Sequence, residues 1–169
     1  MKQKLSILLI AAMLSVPVIS VNAKTQTQTA PSRSCIEEYT EDIGEQYNIC
    51  PELIQAIIER ESSYDPYAKN GNCLGLMQVS SKWHSDRMEK LGVSDLYDPY
   101  SNILVGTDYL AELFDEAIES GRGDDLYYVL MRYNLKTSTA NERWDAMDYS
   151  DYAIEVSERS AELEREHGK

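Results

Sequence analysis

The sequence predicts a mainly α-helical domain, and three observations carry that expectation. Apolar residues recur at three- and four-residue spacing over most of the chain beyond residue 35. Pro and Gly stand where those stretches start and stop, as they do at helix ends. No internal repeat, low-complexity tract or Gly-rich phosphate loop interrupts the pattern. A chain of 169 residues is long enough for one domain around one hydrophobic core.

Residues 1–23 stand outside that core. Lys2 and Lys4 precede an almost wholly apolar run from Leu5 to Leu14, Pro17 breaks it, and Val21-Asn22-Ala23 offers small residues for a signal peptidase. The run from Leu5 to Val21 falls short of the roughly 20 residues of a membrane span, so a cleavable secretory signal ending near Ala23 is expected. Residues 24–34 are polar and are expected to form a flexible lead-in, with the folded domain over 35–169.

The first amphipathic helix is expected over 36–48. Pro51 suits the first turn of a second helix that runs to about Ser62. Asp65-Pro66 and Asn70-Gly71-Asn72 mark a loop with a small β-hairpin within 64–75. Ser80 or Ser81 caps a helix through Leu91. Asp98-Pro99 opens the longest helix, with Ile103, Leu110, Leu113, Phe114 and Ala117 along one stripe, and Gly121-Arg122-Gly123 closes it. A further helix covers about 124–133. Tyr149, Tyr152, Ala153, Val156, Ser160 and Leu163 lie at helical spacing, so the tail docks on the domain.

The formal charge of −13 becomes −15 once residues 1–23, with their two lysines, are removed. So acidic a protein is repelled by nucleic acid and anionic lipid, which makes both poor partners. A polymer would have to be held in a shaped groove, and twelve tyrosines and two tryptophans against one phenylalanine suit one. Cys35, Cys50 and Cys73 all lie in the exported part. A helix over 36–48 sets Cys35 and Cys50 roughly 20 Å apart, which leaves Cys73 to pair with either. Cys50–Cys73 is the expected bridge. No Cys/His pair marks a thiol nucleophile, and 65–72 lacks the alternating acids of a calcium loop. No metal or cofactor is expected.

The second helix carries the candidate catalytic group. Ile54, Ile57 and Ile58 occupy i, i+3 and i+4 of a buried face, and Glu61 is the next position on it. Glu59 and Arg60 fall on the polar side. Burial raises a carboxyl pKa, and the negative end of the helix dipole acts the same way. A carboxylic acid kept neutral can protonate a glycosidic oxygen. By itself the pattern also fits a solvated or backbone-bonded glutamate at a helix end.

The residues downstream of Glu61 narrow the choice. Glu61-Ser62-Ser63-Tyr64-Asp65-Pro66-Tyr67-Ala68 leads to Gly75-Leu76-Met77-Gln78-Val79, then Asp98-Pro99, Asn102-Ile103, Tyr109-Leu110 and Tyr133-Asn134. This succession resembles the soluble lytic transglycosylase domain of the lysozyme-like superfamily over roughly residues 48–157. The resemblance implies a lysozyme-like helical fold with Glu61 as acid/base and Ser62 orienting the carboxylate or substrate. It implies that Gly75, Leu76, Met77 and Gln78 form the cleft floor, with Met77 and Gln78 on the sugar's N-acetyl group. Tyr133 and Asn134 match the family's Tyr-Asn beside the glutamate. Tyr149 and Tyr152 match a cleft-bordering tyrosine more loosely and read equally well as core residues. Trp83 is expected to pack, with sugar stacking as the alternative, and His84 to be structural.

The family usually reads Ala-Tyr-Asn-Ala-Gly, whereas this chain reads Arg132-Tyr133-Asn134-Leu135-Lys136. Arg132 is expected to turn outward. The implied reaction cleaves the β-1,4 bond between N-acetylmuramic acid and N-acetylglucosamine and closes a 1,6-anhydro ring. Two alternatives stand beside it. A goose-type muramidase would hydrolyse the same bond with a second carboxylate; its Asp position corresponds to Ser80, although Asp65, Asp86 and Asp98 lie near in sequence. A glycan-binding accessory protein would keep the cleft without the chemistry. The implied partner is the peptidoglycan glycan strand, with secretion or conjugation machinery as a further possibility and a monomer as the expected state. The expected location is outside the cell or in the envelope.

Overall fold

A computed structural model describes residues 30–169 of the protein, and the expected signal segment lies outside the described residues. Helix α1 (Arg33–Tyr47) begins where the Ser32 hydroxyl accepts from the Cys35 amide at 3.2 Å. It therefore starts two residues inside the expected lead-in. Asn48 ends it in the left-handed conformation at φ 54°, its amide turned back to the Gly44 and Glu45 carbonyls.

Helix α2 (Pro51–Ser62) opens on Pro51, whose missing N–H costs nothing in a first turn. Its residues from Glu52 to Ile58 are all buried, so α2 is a central helix rather than a surface one with a single apolar stripe. It packs against α1 and most extensively against α7 (Asp151–Glu166). Just past its end, Ser63 and Tyr64 both take left-handed backbone angles, φ 52° and 65°. Two such non-glycine residues in a row turn the chain sharply beside Glu61, a conformation kept only where the surroundings impose it.

The chain then enters a small antiparallel sheet of β1 (Lys69–Asn70), β2 (Cys73–Leu74) and β3 (Val79–Ser80), in that order. The expected hairpin is β1–β2, with Asn70 opposite Cys73. The third strand extends it and sets Ser80 opposite Cys73. Ser80 is thus a strand residue and no helix cap. Its carbonyl accepts from the Trp83 and His84 amides, and α3 (Ser85–Leu91) starts four residues later than the earlier of the two expected caps implies.

Helix α4 (Pro99–Glu119) is capped by Asp98, which accepts from the Ser101 amide at 2.9 Å, and its stripe joins the core. Helix α5 (Leu126–Asn134) is capped in the same way by Asp125. Helix α6 (Thr137–Asp145) follows almost at once and has no counterpart among the helices expected from periodicity. Only Ala140 of its nine residues is buried, so it has almost no apolar stripe. Helix α7 begins at the Ser150 cap and buries Tyr152, Ala153, Val156, Ser160 and Leu163. The core is therefore shared by α1, α2, α4, α5 and α7, with α2 packed between α1 and α7, α4 between α1 and α5, and β3 of the sheet against α4.

The expected Cys50–Cys73 bridge is not formed: all three cysteines are free. Cys50 stands at the start of α2 and donates to Glu52 Oε2 at 2.9 Å, whereas the charge of Glu61, at the far end of the same helix, is felt by Cys73. Twelve helical residues span about 18 Å, far beyond disulfide reach.

Candidate active site

Glu61 sits in the last turn of α2, half-buried, and its Oε1 accepts a hydrogen bond from the Tyr152 hydroxyl of α7 at 2.8 Å. Burial pushes the carboxyl above its ordinary pKa of 4.5, and the Tyr152 bond and the charge of Arg60 oppose the shift without cancelling it. Tyr152 itself is held well above the ordinary phenol value, by burial first and then by the Glu61 charge. It is therefore a fixed proton donor to Glu61.

Tyr133 of α5 is the second phenol at the site. It donates to the Met77 carbonyl at 3.0 Å, and burial, then the nearby Glu61 charge, raises its pKa well above the usual value. Asn134 ends α5 exposed, on the wall of the cleft. Ser62 does not touch the carboxylate: its hydroxyl donates back to the Ile58 carbonyl at 3.1 Å, a bond within the helix.

The Gly75–Gln78 segment is held from below. Asn102 of α4 donates from Nδ2 to the Leu74 and Leu96 carbonyls, both at 2.8 Å, and accepts from the Met77 amide at 2.8 Å. Gly75 has φ +72°, and a Cβ there would overlap the Asn102 amide and the Leu96 carbonyl, so only glycine fits. Leu76 and Met77 are fully buried, with Met77 packed against Gly106. Their side chains support the floor from within the core. Gln78 folds back as well, donating to the Ala68 carbonyl at 3.2 Å and the Gly75 carbonyl at 2.9 Å.

A cavity of about 670 Å³ opens beside this floor, walled by Cys73, Ser80, Trp83, Tyr109, Arg132 and Tyr133 among others. Glu61 is not part of its wall, but two wall residues, Cys73 and Tyr133, feel its charge. Trp83, expected to pack, is 77% exposed. His84 lies against Tyr109 with ring centroids 4.6 Å apart and planes tilted by 54°, and burial lowers its pKa. Arg132 does not turn outward. Its guanidinium pairs with Glu116 of α4 at 2.5 Å and donates to the Tyr128 hydroxyl at 3.2 Å.

Of the three acids near in sequence, two are engaged in local backbone bonds. Asp98 caps α4, Asp65 accepts from the Tyr67 amide at 2.9 Å in its own turn, and Asp86 is exposed on α3. Among the described residues no group of three or more potential ligands is arranged for a metal ion. The sequence marks Asn102 by its place among the ordered motifs and Tyr152 by helical spacing, but not the contacts that each makes. A signal for Asn102 is present, since it sits four residues before Gly106 on the buried side of α4.

Comparison with known proteins converges on the same segment. A family model described as the transglycosylase SLT domain matches residues 38–154. The chain is 32% identical over 93 residues to membrane-bound lytic murein transglycosylase E of Buchnera aphidicola subsp. Acyrthosiphon pisum, a match covering 50% of this chain and 42% of that protein. It is 34% identical over 102 residues to the transglycosylase of Enterobacteria phage PRD1, covering 60% and 34%. With membrane-bound lytic murein transglycosylase C of Actinobacillus pleuropneumoniae serotype 5b it shares 35% over 120 residues, covering 65% and 32%. The chain thus spans less than half the length of these relatives. The matched segment holds Glu61, the Asn102-braced floor and both phenols, and by that match the chain belongs to the transglycosylase SLT domain family.

Proposed function

We propose that the protein is a peptidoglycan lytic transglycosylase acting on the β-1,4 bond between N-acetylmuramic acid and N-acetylglucosamine, with Glu61 as its single acid/base. The observation that carries the proposal is the half-buried Glu61 carboxyl, raised in pKa and held by the Tyr152 hydroxyl at 2.8 Å. Protonated Glu61 donates to the bridging oxygen as the muramic C1–O bond breaks, and positive charge gathers at C1. The sugar's own acetamide stabilises that centre. Ionised Glu61 then takes the proton of the muramic C6 hydroxyl as its oxygen bonds to C1, which yields the 1,6-anhydro ring and restores the acid. No water is consumed.

Ser80 at the position of the hydrolase's aspartate, with Asp65 and Asp98 engaged in a turn and a cap, favours ring closure over hydrolysis. The relatives named membrane-bound murein enzymes support a place in the cell envelope, and no helix among the described residues is long and apolar enough to cross a membrane. Digestion of purified peptidoglycan with the enzyme, then mass spectrometry of the products, tests the proposal. Anhydro-muramyl ends are expected, and none from Glu61→Gln at equal enzyme concentration. Reducing ends would identify a hydrolase, and full activity in Glu61→Gln would remove Glu61 from the chemistry.

A further inference from the structure

The cavity beyond Tyr133 has two features that the acid/base chemistry does not use. Trp83 stands on its rim at 77% exposure, an unfavourable place for an indole unless something covers it. Lys82 lies over the ring at 5.4 Å and gives only partial cover. On the wall below, Ser80 is 7% exposed, and its hydroxyl has no hydrogen-bond partner among the described residues. A buried hydroxyl left unpaired costs stability, so one on a cavity wall marks a place where a ligand supplies the missing bond. Open aromatic surface above and an unspent polar group below is the composition of a carbohydrate site. Of the charged groups on the wall, Lys136 is exposed and makes no ion pair among the described residues. Arg87 and Arg132 are already paired, with Asp108 and Glu112 in the first case and Glu116 in the second.

We infer that Trp83 and Ser80 form a sugar subsite, with the indole stacked on the ring of an N-acetylated hexosamine and the Ser80 hydroxyl bonded to one of its polar substituents. The cavity shares Cys73 and Tyr133 with the surroundings of Glu61, so the ring it holds belongs to the strand being cleaved, at a position away from the broken bond. The inference rests on the glycan-cleaving function proposed for Glu61, and it assigns Trp83 and Ser80 to binding alone.

Calorimetric titration of the full chain carrying Glu61→Gln with the hexamer of N-acetylglucosamine tests it, alongside kinetics of the active enzyme on purified peptidoglycan. Trp83→Ala is expected to weaken hexamer binding about tenfold, as truncation of a buried aromatic anchor does. It is expected to raise KM by a similar factor while kcat holds. Trp83→Phe, which keeps a flat ring, restores most of both. Ser80→Ala weakens binding several-fold without lowering the melting temperature, because the hydroxyl it removes has no partner in the free protein. Unchanged hexamer affinity and unchanged KM in both Trp83→Ala and Ser80→Ala would overturn the subsite. A chain that binds the hexamer through Trp83 but cuts no peptidoglycan would instead overturn the catalytic proposal and leave the subsite standing.

Discussion

The Tyr152 hydroxyl and the Glu61 carboxylate act on each other in a direction that can be measured. The hydrogen bond favours ionised Glu61 and so holds its pKa down against burial. If Glu61 must be protonated to start the reaction, kcat/KM falls as pH rises through its pKa, and that limb lies above the ordinary 4.5. Tyr152→Phe removes the opposing bond and leaves the burial. The alkaline limb of the pH–rate profile is therefore expected to move to higher pH, and a limb that stays put or moves down would contradict this coupling. At this scale the sequence is legible in part. The isoleucine spacing points to Glu61, because helical periodicity alone places a side chain on a face. Tyr152 comes from 91 residues away, and whether such a ring lines a cleft or fills a core depends on a packing that periodicity does not encode. Trp83 departs from expectation for the same reason: a tryptophan is usually covered, and nothing local shows that this one is not.

Among the elements, α2 does two separate jobs at its two ends. Its last turn carries Glu61, while its first carries Glu52, fully buried and bonded by Cys50 at 2.9 Å, His167 at 2.8 Å and Lys169 at 2.7 Å. Burial pushes Glu52 upward, but those partners outweigh it and hold its pKa down to about 2. A carboxyl depressed in the folded state contributes stability above its unfolded pKa near 4.5, and that contribution is lost as pH falls from there toward about 2. Glu52→Gln is thus expected to cost about 3 kcal/mol at pH 7, the usual loss for breaking a buried charged pair. Denaturant melts should show the gap from wild type closing below pH 4, and a constant gap would mean that packing, not charge, is responsible. From sequence, Glu52 reads as an ordinary acid in a helix's first turn, since two of its three partners, His167 and Lys169, come from the far end of the chain. Helix α6 is silent in the sequence because TSTANERWD buries a single alanine and offers no stripe to detect. By contrast α4, with apolar residues along its length and an Asp-Pro start, is plain.

For the whole molecule, the net charge of −13 bears on where the glycan is held. Arginines from three helices, Arg87, Arg132 and Arg159, spend their charge on carboxylates of α4, α2 and α7. Those three cations are therefore not free to draw in an anionic polymer. The helical class, the small hairpin and the order of motifs are all readable because they rest on local periodicity and turn chemistry. The cysteine pairing is not, because it depends on the distance along a helix whose far end meets the sheet. Asn102 joins these levels, since one side chain ties the Leu74 and Leu96 carbonyls and the Met77 amide to α4. A floor so tethered has no private way to melt. The Met77 amide is expected to exchange its hydrogen only on global unfolding, and catalytic activity should survive heating until the domain itself gives way. Asn102→Ala would separate the two events, with activity fading at temperatures where circular dichroism still reports intact helices.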